Sequence, residues 1–145
     1  IVRLPNDSLL QKFHLPLGWL QLVVEETGVK IWKFIKSMGA QYVAGGSAAN
    51  TICDASIFGM PAGFIGKVGD DELGSLFKSD MERNGVNPLL LLGRQSSGRC
   101  IDFITGANAE RTFATYLGAA LELVPEDLKP KHFEGYDYFH IEGYL

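Results

Sequence analysis

Apolar and polar positions alternate along this chain with two different periods. Leu9, Leu10 and Phe13 follow Asn6 and Asp7, either of which can cap a short helix that Pro16 and Gly18 end. Residues 19–24 make a short strand. Glu25 and Glu26 then open a helix that carries Ile31, Trp32, Ile35 and Met38 on one face. Lys30, Lys33 and Lys36 lie off that face as a solvated row, and Gly39 stands just past its end. An extended run, 41–44, leads into Gly45 and Gly46, and residues 47–58 read as a helix. Residues 62–66 read as a buried strand. Leu73, Leu76, Phe77 and Met81 form the apolar face of a further helix, with Asp70 as its expected cap and Gly85 at its end. Residues 89–92 are a continuous apolar strand. Residues 47–92 therefore predict helix, strand, helix, strand, which implies right-handed crossovers and a parallel sheet.

The period changes after that. Cys100, Asp102 and Ile104 alternate with Ile101, Phe103 and Thr105, residues 106–109 form a turn, and 110–117 alternate again. This is the pattern of an antiparallel hairpin with one polar face, a flap beside the main sheet. Pro125 begins a short helix, and 136–141 read as a buried strand. Both ends of the chain look like strands that lack a neighbour. The expectation is a piece of a larger α/β protein.

Composition narrows the partners. The chain has 145 residues, 46% hydrophobic and 21% charged, with net charge −4 and pI about 5.3. One core-forming domain is expected from this length. No basic stripe is present, so nucleic acid and anionic membranes are poor partners. No apolar stretch approaches a membrane span and none resembles a signal peptide. Cys53 and Cys100 sit in separate apolar segments and read as reduced core thiols of a cytoplasmic protein.

The chemistry concentrates at residues 45–51. Two glycines in series let the backbone turn sharply and let a ligand approach the main chain. Ser47 is a good N-cap for the helix that follows. Free amides at that start favour an oxygen-rich ligand, and Asn50 adds a donor and an acceptor in the first turn. The same residues also fit a plain strand-to-helix turn with a capped helix. Rival motifs fail: Gly63, Gly66 and Gly69 lack the dinucleotide-turn spacing, and Lys67 is followed by Val68, not Ser or Thr. His14, His132 and His140 are far apart, with no ligand set for zinc. Asp70, Asp71 and Glu72 read as a helix cap more readily than as paired catalytic acids.

Gly45, Gly46, Ala48, Asn50, Gly59 and Gly69, at these spacings, resemble the first signature of the PfkB, or ribokinase-like, carbohydrate kinase family. Residues 66–71 resemble its G-x-x-G-x-D run, and Arg111, Thr112, Glu142 and Gly143 look like further family features. Ile52 stands where the signature usually has a small residue. Adenosine-kinase-like members share that departure. The resemblance implies a doubly wound parallel α/β sheet with a small antiparallel β-sheet lid, present here in part. Lid segments would lie near residues 1–3, 20–24, 41–44, 100–105 and 112–116. It implies ATP-dependent phosphoryl transfer, with Mg2+, to a primary hydroxyl of a nucleoside or sugar. Adenosine or a related riboside comes first, and a ribose- or fructose-type sugar next. Gly45 and Gly46 would be the hinge and, with Ser47, Asn50, Phe103 and Glu142, would meet the substrate. Arg99 and Phe103 would line the lid wall, where ordinary sheet packing accounts for them equally well. The catalytic Asp and the C-terminal ATP-binding half of such kinases are not in this sequence. No residue is therefore assigned a catalytic or metal role, and the fragment alone is expected to be inactive. A homodimer through the lid is possible in this architecture. The alternative is a non-catalytic binding module with the same fold.

Overall fold

The computed structural model describes residues 1–106 and 108–143. In chain order it contains β1 (Val2–Arg3), α1 (Ser8–Lys12), β2 (Leu20–Leu22), α2 (Glu25–Lys36), α3 (Ser47–Ile57), β3 (Ala62–Val68), α4 (Glu72–Arg83), β4 (Val86–Leu92), β5 (Arg99–Thr105) and β6 (Glu110–Tyr116), then three short 3-10 turns. The chain divides into two compact units, Ile1–Tyr42 with Gly98–Gly118, and Val43–Ser97 with Ala119–Leu145.

The first unit is a four-stranded sheet in the order β1-β5-β6-β2. The alternating segments form the expected hairpin, with Ile101 opposite Ala114 and Phe103 opposite Thr112. Its turn lies at 106–109, of which Ala107 falls outside the described residues. The sheet is mixed rather than antiparallel throughout, because β1 joins β5 and β2 joins β6 in parallel. Period-two geometry sends Ile101, Phe103 and Ala114 to one face. That face is buried with Leu9 and Leu10 of α1 and Ile31 and Ile35 of α2 in one apolar cluster. Burying a side chain the size of Phe103 stabilises by about 1.5–3 kcal/mol. Met38, expected on the same face of α2, lies beyond its last turn and is exposed. On the other face, Arg111 reaches back to Asp102, with Nε 3.1 Å from Oδ2, and its guanidinium lies 4.9 Å from the centroid of the Phe113 ring. Cys100 is on this face and is exposed, not a core thiol.

Residues 41–44, expected as a strand, form none. Gln41 exchanges one reciprocal pair of backbone hydrogen bonds with Ile1, and Tyr42 turns its ring edge onto Trp32, 5.0 Å between centroids. One hydrogen-bonded pair without continuation does not make a ladder.

The second unit contains the expected alternation. β3 and β4 pair in parallel over their full lengths, from Ala62 opposite Val86 to Val68 opposite Leu92, with α4 as the crossover. Ala49 of α3, Met81 of α4 and Val86 of β4 form its buried centre, with Phe64 and Phe77 tilted against each other at 5.5 Å. β3 is half-buried along its whole length, not deeply buried, since this is a two-stranded sheet. Pro88 sits in β4, where a strand with an open edge tolerates a missing N–H. Residues 136–141 form no strand. This aromatic run packs through its rings, with Tyr136 against Gly63 and Phe139 edge-on to Phe133 at 5.2 Å. Tyr138 is 95% exposed.

Candidate functional site

The turn into α3 needs glycine at Gly46, whose φ of 106° is closed to most side chains. Gly46 is also the N-cap residue: its carbonyl accepts the first helical bond, from Asn50 N at 2.9 Å. Ser47 is thus the first helical residue and not the cap expected from its type. No side chain caps α3. The amides of Ser47, Ala48 and Ala49 precede the first intrahelical bond, at the positive end of the helix dipole.

Freed from capping, the Ser47 hydroxyl donates to Glu142 Oε2. The other carboxylate oxygen lies 3.1 Å from His140 Nε2. The Ser47 hydrogen bond and, after it, that of His140 hold the Glu142 carboxyl below the usual glutamate range. Ser47 and Glu142, two expected site residues 95 positions apart, therefore meet. Glu142 does so from an irregular segment instead of the strand end expected for it. Asn50 is exposed, and its side chain has no hydrogen bond among the described residues. A Cβ added at Gly45 or Gly46 would meet nothing within 4 Å. An exposed turn with unspent donors, a free amide side chain and a held carboxylate suits a ligand bearing several hydroxyls.

Asn50 also lines a polar cleft of about 580 Å³ beside α3, with Cys53 and Asp54 of α3 and Asp80, Arg83 and Asn84 around the end of α4. Ala44 N donates to Asp80 Oδ2 there at 2.9 Å, and Asp80 pairs with Arg83. Ser47, Glu142 and the glycines do not line this cleft, so it is a separate feature that shares only Asn50 with the turn.

Phe103 is corrected by the structure. It is 0% exposed in the first unit's core, on the sheet face buried with α1 and α2, and presents no surface to a ligand. Arg99 likewise serves packing. Its guanidinium stacks 4.9 Å over the Tyr116 ring, and its Nε and Nη2 are buried without a hydrogen-bond partner.

Sequence reasoning missed His140, which carries no local signal, and a network at the start of α4. Asp71, not Asp70, caps α4 by accepting from Gly74 N at 2.8 Å. The same carboxylate accepts from Ser97 N at 2.8 Å and from Ser97 Oγ at 2.6 Å, and Gly69 N donates to Ser97 Oγ at 2.9 Å. A Cβ on Gly69 would fall 2.7 Å from Gln95 O and Ser97 N, so the close approach of two backbones requires glycine. Among the described residues, no group of three or more His, Cys, Asp or Glu could hold a metal ion, and no helix is long and apolar enough to cross a membrane.

The family model "pfkB family carbohydrate kinase" matches residues 34–145. The chain belongs to this family. A pfkB relative, adenosine kinase of Schizophyllum commune, is 28% identical over 147 residues, covering 97% of this chain and 42% of its own length. Fructokinase-2 of Oryza sativa subsp. japonica is 30% identical over 106 residues, 72% of this chain and 31% of the relative. The crystal structure of Anopheles gambiae adenosine kinase, in complex with P1,P4-di(adenosine-5) tetraphosphate, superposes with a TM-score of 0.76 at 28% identity, covering 86% of this chain and 39% of that one. The fold is thus that of the ribokinase-like adenosine kinases, and the chain spans less than half the length of each of these relatives. The structure gives reasons for most of the glycines in the pfkB signature. Gly46 and Gly59 have positive φ, and Gly69 is crowded by backbone. Gly45 has neither constraint.

Proposed function

We propose that the protein carrying this chain transfers the γ-phosphoryl group of ATP to a primary hydroxyl of a nucleoside or sugar. Adenosine or a related riboside is the first acceptor, and a ribose- or fructose-type sugar the next. The observation that carries this reading is the open turn into α3, where Asn50 and the leading amides are unspent and Ser47 and Glu142 are already joined. It is supported by the match to adenosine kinase and fructokinase relatives.

Each residue has a role in this reading. Gly45 and Gly46 let the acceptor's hydroxyls come against the main chain. Asn50 gives and takes a hydrogen bond with adjacent hydroxyls. Glu142 accepts from a further hydroxyl and exchanges partners with Ser47 as it does so. The four-stranded sheet of the first unit is the lid, and its closure excludes water that would otherwise take the phosphoryl group. Among the described residues, no group of three or more His, Cys, Asp or Glu could hold a metal ion. In this reading Mg2+, the ATP phosphates and the group that deprotonates the acceptor fall to the rest of the protein, and these residues bind and position the acceptor. Two free cysteines accord with a cytoplasmic protein. Exposed Trp19, Leu20, Leu22 and Val24 along the β2 edge accord with pairing of two copies through the lid.

The test is ADP release by the full-length protein with ATP, Mg2+ and, in turn, adenosine, ribose and fructose. Turnover with adenosine above the others is expected, and none from the 145-residue fragment alone. Adenosine binding by calorimetry with no ADP release from any acceptor would overturn the kinase reading in favour of a binding module.

A further inference from the structure

Both oxygens of the carboxylate beside the glycine turn are in use. Glu142 Oε2 accepts from the Ser47 hydroxyl, and Oε1 lies 3.1 Å from His140 Nε2. All three residues belong to the second unit. Among the described residues, no lysine or arginine pairs with Glu142, so these two hydrogen bonds are what hold it. An ionised carboxylate only accepts, so the second contact needs the hydrogen on His140 Nε2. His140 therefore donates, and its Nδ1 has no partner among the described residues. Ile141, between His140 and Glu142, is turned out to solvent.

The two hydrogen bonds differ in how readily they are exchanged. Ser47 is exposed, and a hydroxyl rotates to suit a new partner. The imidazole is a rigid donor with its one N–H aimed at Oε1, and it sits only two positions along the chain from Glu142. An arriving hydroxyl can therefore displace Ser47 from Oε2 while Oε1 stays with His140. That matters for recognition. The last torsion of a glutamate side chain is broad, and a carboxylate with both oxygens free can meet two adjacent hydroxyls at once. With Oε1 spent on His140, only Oε2 is left for the acceptor.

We propose that His140 is a positioning residue that fixes the plane of the Glu142 carboxylate, so that Glu142 accepts from a single hydroxyl of a riboside's vicinal pair. His140 itself touches no acceptor. The neighbouring hydroxyl is left to groups that can also donate, such as the Asn50 amide. A riboside lacking the hydroxyl read by Glu142 is then told apart from one lacking its neighbour. This inference rests on the reading of Glu142 as an acceptor contact.

The experiment titrates the full-length protein by calorimetry with adenosine, 2′-deoxyadenosine and 3′-deoxyadenosine in the absence of ATP, with ADP release measured separately. The parent should bind the two deoxy analogues with different Kd. The His140 side chain is 43% exposed, so His140→Ala should keep its Tm. It should weaken adenosine about threefold and draw the two deoxy Kd values together by about fivefold, because a carboxylate free to turn takes whichever hydroxyl remains. His140→Gln, which can bring an N–H to the same oxygen, should restore the parent's ratio. In a Glu142→Ala background, His140→Ala should change nothing further, since it acts only through that carboxylate. A deoxy ratio in His140→Ala equal to the parent's would overturn the inference. So would an effect of His140→Ala that persists without the Glu142 carboxylate, or a lowered Tm with equal weakening of all three ligands, the mark of packing alone. Adenosine binding that Glu142→Ala leaves unchanged, or no adenosine binding at all, would remove Glu142 as a riboside contact and the inference with it. A ratio that collapses as expected in a protein that releases no ADP would uphold the inference and overturn the kinase reading.

Discussion

α3 and α4 begin in opposite ways within one unit. The start of α4 is closed, because Asp71 fills the cap and ties down Ser97, and backbone from residues 95–97 crowds Gly69 until no side chain fits. The start of α3 is open: no side chain caps it, nothing lies within 4 Å of a Cβ at either glycine, and Asn50 points a whole amide at solvent. Both starts leave the same amides to be satisfied. One is satisfied by the protein itself and the other leaves them for something else. Glycine therefore means different things at the two ends: at Gly69 it makes room for the chain, and at Gly45 no neighbour in the structure requires it.

The largest expected effect tests the closed end. Gly69→Ala should destabilise the full-length protein by about 1–3 kcal/mol, read by urea unfolding, because residues 95–97 must move off a Cβ. A loss below about 0.5 kcal/mol would mean that the crowding relaxes freely. Asn50→Ala tests the open end. It should leave Tm unchanged and raise the acceptor KM about fivefold, the loss of one hydrogen bond worth about 1 kcal/mol, with the KM for ATP unaffected. An unchanged acceptor KM would remove Asn50 from the site. Gly45→Ala should be neutral to unfolding, within about 0.5 kcal/mol, yet raise the acceptor KM. Stability lost there, as at Gly69, would erase the distinction between the two starts.

The smallest effect is one of pH. Hydrogen bonds from Ser47 and then His140 hold the Glu142 carboxyl below its ordinary range, so its folded pKa lies below its unfolded one. The Ser47–Glu142 link is then fully present above the unfolded value of about 4.3 and is lost only as pH falls through the lower folded value. Acceptor KM should be flat from neutral pH down to about 4.3 and climb only below it, and Glu142→Gln should flatten that climb.

The helix–strand–helix–strand order of residues 47–92 was legible because it rests on period alone. Cap positions were not. Asp70 and Asp71 are equally good caps by type, and Ser97, 26 positions away, favours the second. Ser47 looked like a cap because the freedom of Gly46 to take its φ of 106° is a property of the turn, which composition does not reveal. Alternation put Phe103 on a definite face of its strand but carried no word on which face α1 and α2 would cover. The run at 136–141 has the composition of a buried strand, yet Tyr136 lies against Gly63 and Phe139 edge-on to Phe133 without a ladder, and Tyr138 is exposed. Glu142 meets Ser47, but from an irregular segment, because the strand end that was to present it is absent.

The first unit is discontinuous along the chain, and that has a consequence for how the molecule forms. In β3-α4-β4 every partner is close in sequence, so this part closes small loops and can form early. The sheet of the first unit must bring β1 and β2 to a hairpin made much later, and its Gly18 N–H finds Thr112 Oγ1 across 94 positions. Loop closure over that span costs entropy before any contact repays it. During synthesis, β1 and β2 wait with their apolar faces uncovered until residues 99–116 arrive, so these strands are completed after β3-α4-β4 although they are made before it.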